Sequence, residues 1–69
     1  MKAIQRLRQA GMTRAEIARA LNVTRHAVGF WERGERSPDH DNRQKLIALA
    51  ESRGVLLLAS DFSKDNNDG

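Results

Sequence analysis

Residues 12–34, MTRAEIARALNVTRHAVGFWERG, decide the fold, because they predict two short helices joined by a tight turn. Thr13 and Glu16 have the spacing of a capping box, in which each side chain accepts a hydrogen bond from the other residue's backbone N–H. The first of the two helices therefore starts at Arg14. Its apolar residues share one side, which we expect to pack inward: Ile17, Ala18 and Leu21.

The turn and the second helix are equally well marked. Asn22 stands where the chain must reverse, and asparagine tolerates the left-handed backbone conformation better than any residue except glycine. Thr24 is placed to cap a helix over residues 25–33, which Gly34 ends. Helical geometry predicts the orientation of its side chains, with Val28 and Trp31 inward and with His26, Gly29, Phe30 and Arg33 outward.

Two further helices flank this pair. Apolar residues three apart predict a helix over residues 2–9, which Gly11 ends. Pro38 marks a loop, and Asp39 is placed to cap a fourth helix over about residues 40–53. The apolar side of this last helix consists of Leu46, Ile47, Leu49 and Ala50.

The segment after the fourth helix allows two interpretations. Residues 55–59, VLLLA, fit either a short strand or one more helical turn. We favour the extended form, because the run is short and directly follows Gly54. We expect one domain over residues 1–60 and a disordered polar tail over residues 61–69, since its last residues, SKDNNDG, have nothing to bury.

Size and composition exclude several classes of protein. A chain of 69 residues builds a core too thin to enclose a substrate, so we do not expect an enzyme. It has no Cys and two His, so neither a disulfide nor a metal site is expected. The longest apolar run is far shorter than the roughly 20 residues of a membrane span. We therefore expect a cytoplasmic protein without a cofactor, a small-molecule ligand or a membrane partner.

The charges are unevenly distributed along the chain. Residues 1–36 carry eight Lys or Arg and three acids, a net charge of +5, whereas the remainder carries four bases and six acids, a net charge of −2. Such polarity is expected where one face meets a polyanion. An ordinary solvated surface has the same balance, so charge alone does not decide for nucleic acid.

Two helices joined by a tight turn form the outline of a helix-turn-helix, whose second helix enters the DNA major groove. Residues 13–34 resemble the Cro/C1-type (XRE-like) helix-turn-helix family of phage repressors and small bacterial transcriptional regulators. The resemblance lies in Ala18 at the helix crossing, the hydrophobic residues around it and the closing WERG, and it covers roughly residues 3–54. The chain departs from the family in two places, since Asn22 replaces the usual Gly and the link before the first of the two helices is one residue shorter.

The resemblance implies an all-α, compact four-helix fold of the lambda-repressor type, with a short C-terminal strand or an extra helical turn. In this family an Arg late in the first helix pairs with the Glu after the Trp, which here corresponds to Arg8 and Glu32. The alternative is an exposed Glu32 without a fixed partner, because most surface ion pairs contribute little to stability.

The resemblance also implies a sequence-specific regulator of transcription, a Cro-like repressor that binds double-stranded DNA. The family's base-reading positions correspond to Arg25, His26, Gly29 and Phe30. Arg25 is expected to donate two hydrogen bonds to guanine, and a phosphate contact or a free surface arginine is the alternative. His26 is expected to donate to a base or to a phosphate, or to be solvated. Gly29 would allow the helix backbone to approach the DNA groove closely, or allow tight packing on the preceding helix. Phe30 would contact a thymine methyl group or a partner subunit.

Other polar residues are candidates for phosphate contacts, which position a protein on DNA without specifying sequence. Arg14 stands at a helix N-terminus, where the helix dipole favours an anion. Each candidate alone also fits a plain surface residue. The set is Arg14, Thr24, Arg33, Arg36, Ser37 and Arg43.

One such unit buries too little surface to find an operator, so we expect a homodimer on a palindromic site with half-sites about 34 Å apart. The apolar surface for a dimer is Val55, Leu56, Leu57 and Leu58. Alternatively, these residues close the core of the monomer. DNA binding would place the protein at the nucleoid.

Two rival functions remain open. In an antitoxin-like protein, the same DNA-binding core would regulate its own operon while residues 56–69 fold on a toxin. An RNA-binding or architectural protein is less favoured, because single-strand binding uses exposed aromatic residues in a row and Phe30 stands alone.

Overall fold

The computed structural model describes residues 1–62 as four α-helices and a final 3₁₀ turn. The elements are α1 (Lys2–Gln9), α2 (Arg14–Leu21), α3 (Arg25–Arg33), α4 (His40–Ser52) and the turn Ala59–Phe62. The predicted all-α fold is confirmed, and so are the bounds of the first three helices. Helix α4 ends one residue earlier than predicted, with Arg53 as its C-cap.

Helices α2, α3 and α4 each begin with a side-chain cap. Thr13 Oγ1 accepts a hydrogen bond from the Glu16 N–H at 3.1 Å, and Glu16 Oε1 accepts one from the Thr13 N–H at 2.8 Å. Thr24 and Asp39 each accept a hydrogen bond from the N–H three residues on, at 3.1 and 2.9 Å. Because each cap lies within a few residues of the helix it starts, the sequence alone indicates where these helices begin.

Asn22 determines the angle between α2 and α3. Its φ of 59° and ψ of 45° lie in the left-handed region, as predicted. The reversal brings the Val23 N–H to 3.0 Å from the Ala18 carbonyl oxygen, which ends α2 in one turn. Helix α3 can therefore start at Arg25, two residues after Val23. The small Ala18 side chain allows α3 to cross α2 closely.

The core lies between the helices, with α3 packed on α1 and α2 and with α4 packed on α2. The inward orientation of Val28 and Trp31 is confirmed, since they are 0% and 6% exposed. Of the predicted apolar side of α4, Leu46 and Ala50 are buried, while Ile47 and Leu49 are half-buried. None of the helices in residues 1–62 is long and apolar enough to cross a membrane.

The apolar segment after α4 does not form the strand that we favoured. Residues 55–58 have no regular structure, and the 3₁₀ turn Ala59–Phe62 follows them. The physical reason is burial, because Leu57 and Phe62 pack into the core and Val55 packs against it. The segment folds back on its own domain instead of presenting a free strand edge.

The predicted domain boundary at residue 60 is too early, since Asp61 and Phe62 are only 2% and 5% exposed. Asp61 accepts hydrogen bonds from Arg6 Nε at 3.0 Å and from the Leu58 N–H at 2.7 Å. The Phe62 ring lies 4.8 Å from the guanidinium carbon of Arg43. We call Arg6, Arg43, Asp61 and Phe62 the C-terminal clasp. The remainder of the predicted tail, 63–69, lies outside the described residues.

Candidate nucleic-acid interface

A cationic groove runs between the N-terminus of α2 and the outward side of α3. It has a volume of about 410 Å³ and is open to solvent. We call it the arginine groove, and its lining residues are Arg8, Thr13, Arg14, Ala15, Arg25, His26, Gly29 and Arg33. Four guanidinium groups in one shallow depression create a positive potential that suits a polyanion.

Glu32 connects three helices beside this groove. Arg8 Nη1 lies 3.2 Å from both of its carboxylate oxygens, and Arg14 Nε lies 2.7 Å from Oε1. The predicted pair of Arg8 and Glu32 is therefore present. Arg14 is a second partner that sequence reasoning missed, because no local pattern relates residues 18 positions apart.

The charge of Glu32 is well defined. Burial of its carboxyl group raises the pKa, but the hydrogen bond and charge of Arg14, followed by those of Arg8, lower the pKa below the ordinary value. The carboxylate is thus ionised at neutral pH and compensates one of the two arginine charges. The groove keeps a net positive charge.

Arg25 and His26 lie at the first turn of α3 with their side chains exposed on the groove. Within the described part of the chain, no hydrogen bond or ion pair ties down the Arg25 guanidinium. It is therefore available to donate both of its parallel N–H groups to a ligand. This is the placement that the sequence predicted for a base-reading arginine.

Gly29 lies on the outward side of α3, as predicted, but it is buried there and not exposed. The group that covers it is the Arg33 side chain, whose Nη1 would lie 3.2 Å from a Cβ atom built on Gly29. The other atoms nearest to such a Cβ also belong to Arg33. The missing side chain thus makes room for an arginine and not for packing on α2.

Phe30 is half-buried, whereas we predicted a fully exposed aromatic ring. The guanidinium carbons of Arg33 and Arg36 lie 5.4 and 5.0 Å from its ring centroid. Both distances are within the range of cation–π attraction. Phe30 therefore holds two arginines at the C-terminal end of α3 and keeps part of its ring free.

The remaining candidate phosphate-binding residues do not lie together on one surface. Thr24, Arg36 and Ser37 line a second shallow groove of about 370 Å³ between α3 and the start of α4. Arg33 pairs with Glu35 at 2.9 Å. Arg43 lines neither groove, because it lies on Phe62 in the C-terminal clasp.

The four predicted dimer residues fall into two classes. Leu56 and Leu58 are 69% and 51% exposed, so they are available to a second molecule. Leu57 is 6% exposed and belongs to the core, and Val55 is half-buried against it. Leu57 is therefore wrong as a dimer contact, because its side chain already stabilises the monomer.

Comparison with known families agrees with this geometry. A helix-turn-helix family model matches residues 4–51, a range that includes all of α2 and α3 and most of α1 and α4. A comparison with curated proteins and one with solved structures each found no match. The matched range contains the capped helix pair, the left-handed Asn22 and the arginine groove. The chain belongs to the Cro/C1-type helix-turn-helix family of DNA-binding transcriptional regulators.

Proposed function

We propose that the protein is a repressor that binds a palindromic operator as a homodimer, with α3 in the major groove. The observation that carries this proposal is the free Arg25 guanidinium at the first turn of α3, on the rim of the arginine groove. In this family fold, the first turn of the second helix is the part that meets base edges.

Arg25 is the main base-reading residue in this proposal. Its two parallel N–H donors match O6 and N7 of guanine, and no other base presents two acceptors in that geometry in the major groove. His26 adds a hydrogen bond to a base or to a phosphate beside it. The free part of the Phe30 ring contacts a thymine methyl group.

Phosphate contacts supply most of the affinity. Arg14 grips one strand at the N-terminus of α2, where backbone N–H groups also favour an anion. Thr24, Arg36 and Ser37 contact the other strand from the second groove. Arg43 is a weaker candidate for a phosphate contact, because its guanidinium already lies on Phe62.

The dimer is proposed to form through Leu56 and Leu58, the two large apolar side chains that the fold leaves exposed. A two-fold dimer aligns two copies of α3 with major-groove sites about 34 Å apart, one helical turn of DNA. The operator would then be palindromic, with one half-site for each copy.

Selection of bound duplexes from a random pool tests this proposal. We expect the parent protein to enrich a palindrome, and we expect Arg25→Ala to lose preference at one base pair in each half-site. Arg53→Ala is the matched control, because Arg53 is an exposed arginine at the far end of α4 and should leave the motif unchanged. Enrichment of a single unrepeated half-site would contradict the dimer, and the absence of any motif would contradict the whole proposal.

A further inference from the structure

Arg33 does not lie where a residue that only contacts phosphate would be expected. Its Cα is at the last position of α3, but its guanidinium extends back over Gly29, four residues earlier. Side chains on a helix lean toward its N-terminus, so an arginine covers the surface about one turn before its own Cα. The guanidinium therefore lies over the middle of α3.

In the proposed complex, base contacts begin at the first turn of α3 and continue along the same side of the helix to its middle. Arg25, His26 and Gly29 line the arginine groove together with Arg33, so all four occupy one side of the helix. Arg36 provides the contrast, because it lies beyond the end of α3 and lines the second groove. Of these two arginines that flank Phe30, only Arg33 is placed over the side that carries Arg25.

Gly29 makes this position accessible to Arg33. A helix with its side chains is about 10–12 Å across, and the major groove is about 12 Å wide, so little space remains between them. A Cβ atom at Gly29 would lie 3.2 Å from Arg33 Nη1, closer than ordinary contact. The glycine thus leaves room for a flat guanidinium group between the helix backbone and the DNA.

Two further contacts hold Arg33 without burying its donors. Its Nε and Nη2 donate to the two carboxylate oxygens of Glu35 at 2.9 and 3.4 Å, and its guanidinium carbon lies 5.4 Å from the Phe30 centroid. The Arg33 and Glu35 side chains are each 52% exposed, so water screens their ion pair and DNA can displace it. The pair orders Arg33 in the free protein and leaves Nη1 over the groove.

We infer that Arg33 is a second base-reading residue and that Gly29 is the positioning residue that admits it to the groove. This inference rests on the proposed function, since it requires α3 to lie in the major groove. Once DNA displaces Glu35, Arg33 binds guanine through two parallel N–H donors, as Arg25 does. Its guanine lies roughly two base pairs from that of Arg25, because one helical turn of about 5.4 Å separates Gly29 from Arg25 and base pairs are about 3.4 Å apart.

The test compares Arg33→Ala with Arg36→Ala on the motif that the parent protein selects. Arg33→Ala should lose preference at one base pair of each half-site, about 5- to 150-fold in the ratio of affinities for the preferred and the substituted pair. Arg36→Ala should instead weaken binding to all sequences alike and reduce the slope of log affinity against log salt by about one. Circular dichroism and thermal unfolding confirm that both variants fold.

Gly29→Ala separates positioning from stability. Alanine stabilises a helix more than glycine does, so the midpoint of thermal unfolding should stay the same or rise. The added Cβ obliges Arg33 Nη1 to shift by a few tenths of an ångström. Preference at the same base pair should therefore fall, and adding Arg33→Ala should cause less further loss there than it does in the parent. A purely structural glycine would change stability and leave base preference intact.

The outcomes are distinguishable. If the parent selects a palindrome and Arg33→Ala weakens every sequence equally, the inference is wrong and the proposed function stands. If Gly29→Ala leaves the motif unchanged, Gly29 has no positioning role. If the parent selects no motif at all, the proposed function fails, and the inference fails with it.

Discussion

Two carboxylates in this protein bind arginines of the same helix, yet their surroundings are opposite. Glu32 binds Arg8 beside the arginine groove and is 19% exposed, with partners that are 39% and 49% exposed. Asp61 binds Arg6 in the C-terminal clasp; the Asp61 side chain is 3% exposed, and the Arg6 side chain is 48% exposed. Exposed pairs are weakened by water and salt, whereas a buried carboxylate depends on its partners. The difference indicates an exchangeable pair beside the arginine groove and a more persistent carboxylate contact in the clasp.

Hydrogen bonding to the backbone reinforces this contrast. Burial raises the pKa of Asp61, but hydrogen bonds from the Leu58 N–H and from Arg6, with the charges of Arg6 and Lys2, lower its pKa overall. The pKa of Glu32 is lowered by arginine side chains only. A backbone donor cannot move away when DNA arrives, whereas an arginine side chain can rotate toward a phosphate.

The largest expected effect on stability comes from a substitution in the C-terminal clasp. Phe62→Ala should lower the free energy of unfolding by about 3 kcal/mol, because a buried aromatic ring is lost and a cavity remains. Urea unfolding monitored by circular dichroism measures this. Gln44→Ala is the control, since Gln44 is exposed on α4 and its loss should change stability by less than about 0.5 kcal/mol. Equal effects of the two variants would show that the clasp does not stabilise the domain.

The next effect tests the buried carboxylate itself. Asp61→Asn should cost about 1–3 kcal/mol at neutral pH, because the hydrogen bonds of Arg6 and of the Leu58 N–H lose a charged acceptor. The lowered pKa gives a sign for the pH dependence. The contribution of Asp61 is present above the ordinary pKa of 3.8 and is lost as the pH falls below it toward the folded-state value.

Denaturant unfolding of the parent and of Asp61→Asn across this acidic range checks that expectation. The difference in stability between the two proteins should shrink as the pH is lowered. A difference that stays constant on acidification would mean that the pKa of Asp61 is the same in the folded and the unfolded protein.

The smallest effect on stability is expected at the groove. Glu32→Gln should change the free energy of unfolding by less than about 1 kcal/mol, because Arg8 and Arg14 are 39% and 49% exposed and water screens both ion pairs. It should nevertheless increase affinity for duplex DNA at low salt, since Arg8 and Arg14 are released and a negative charge is removed. The slope of log affinity against log salt should steepen by about 0.9 for each added phosphate contact.

Fluorescence anisotropy with a labelled duplex at several salt concentrations measures this slope. Glu51→Gln is the matched control, because Glu51 is an exposed glutamate at the end of α4. If Glu32→Gln destabilised the protein more than Asp61→Asn, the contrast between the two carboxylates would be reversed.

The features that could be predicted from the sequence are those held by neighbouring residues. The capping box of Thr13 and Glu16 and the left-handed Asn22 depend on hydrogen bonds and sterics within a few positions, so the bounds of α1, α2 and α3 were predicted correctly. The pair of Arg8 and Glu32 was accessible through the family resemblance, because family members share that contact.

The features that were missed depend on residues far apart or on side-chain direction. Asp61 seemed to belong to a polar tail, because its partner Arg6 lies 55 positions away. Arg14 was assigned to phosphate alone, since its contact with Glu32 requires the packed arrangement of α2 and α3. Gly29 was expected to face solvent, because a helical wheel gives the direction of a position and not the path of a neighbouring long side chain.

The clasp also has a consequence for the order in which the protein folds. Helices α2 and α3 are adjacent in the chain, so their contact closes a short loop, whereas the link from Arg6 to Asp61 spans 55 positions. Closing a longer loop costs more chain entropy, so we expect the helix pair to form early and the clasp to close late. Weakening a late contact accelerates unfolding and leaves the folding rate nearly unchanged. The amide protons beneath Phe62 should therefore exchange with solvent through brief openings of the segment 59–62, while α2 and α3 remain protected.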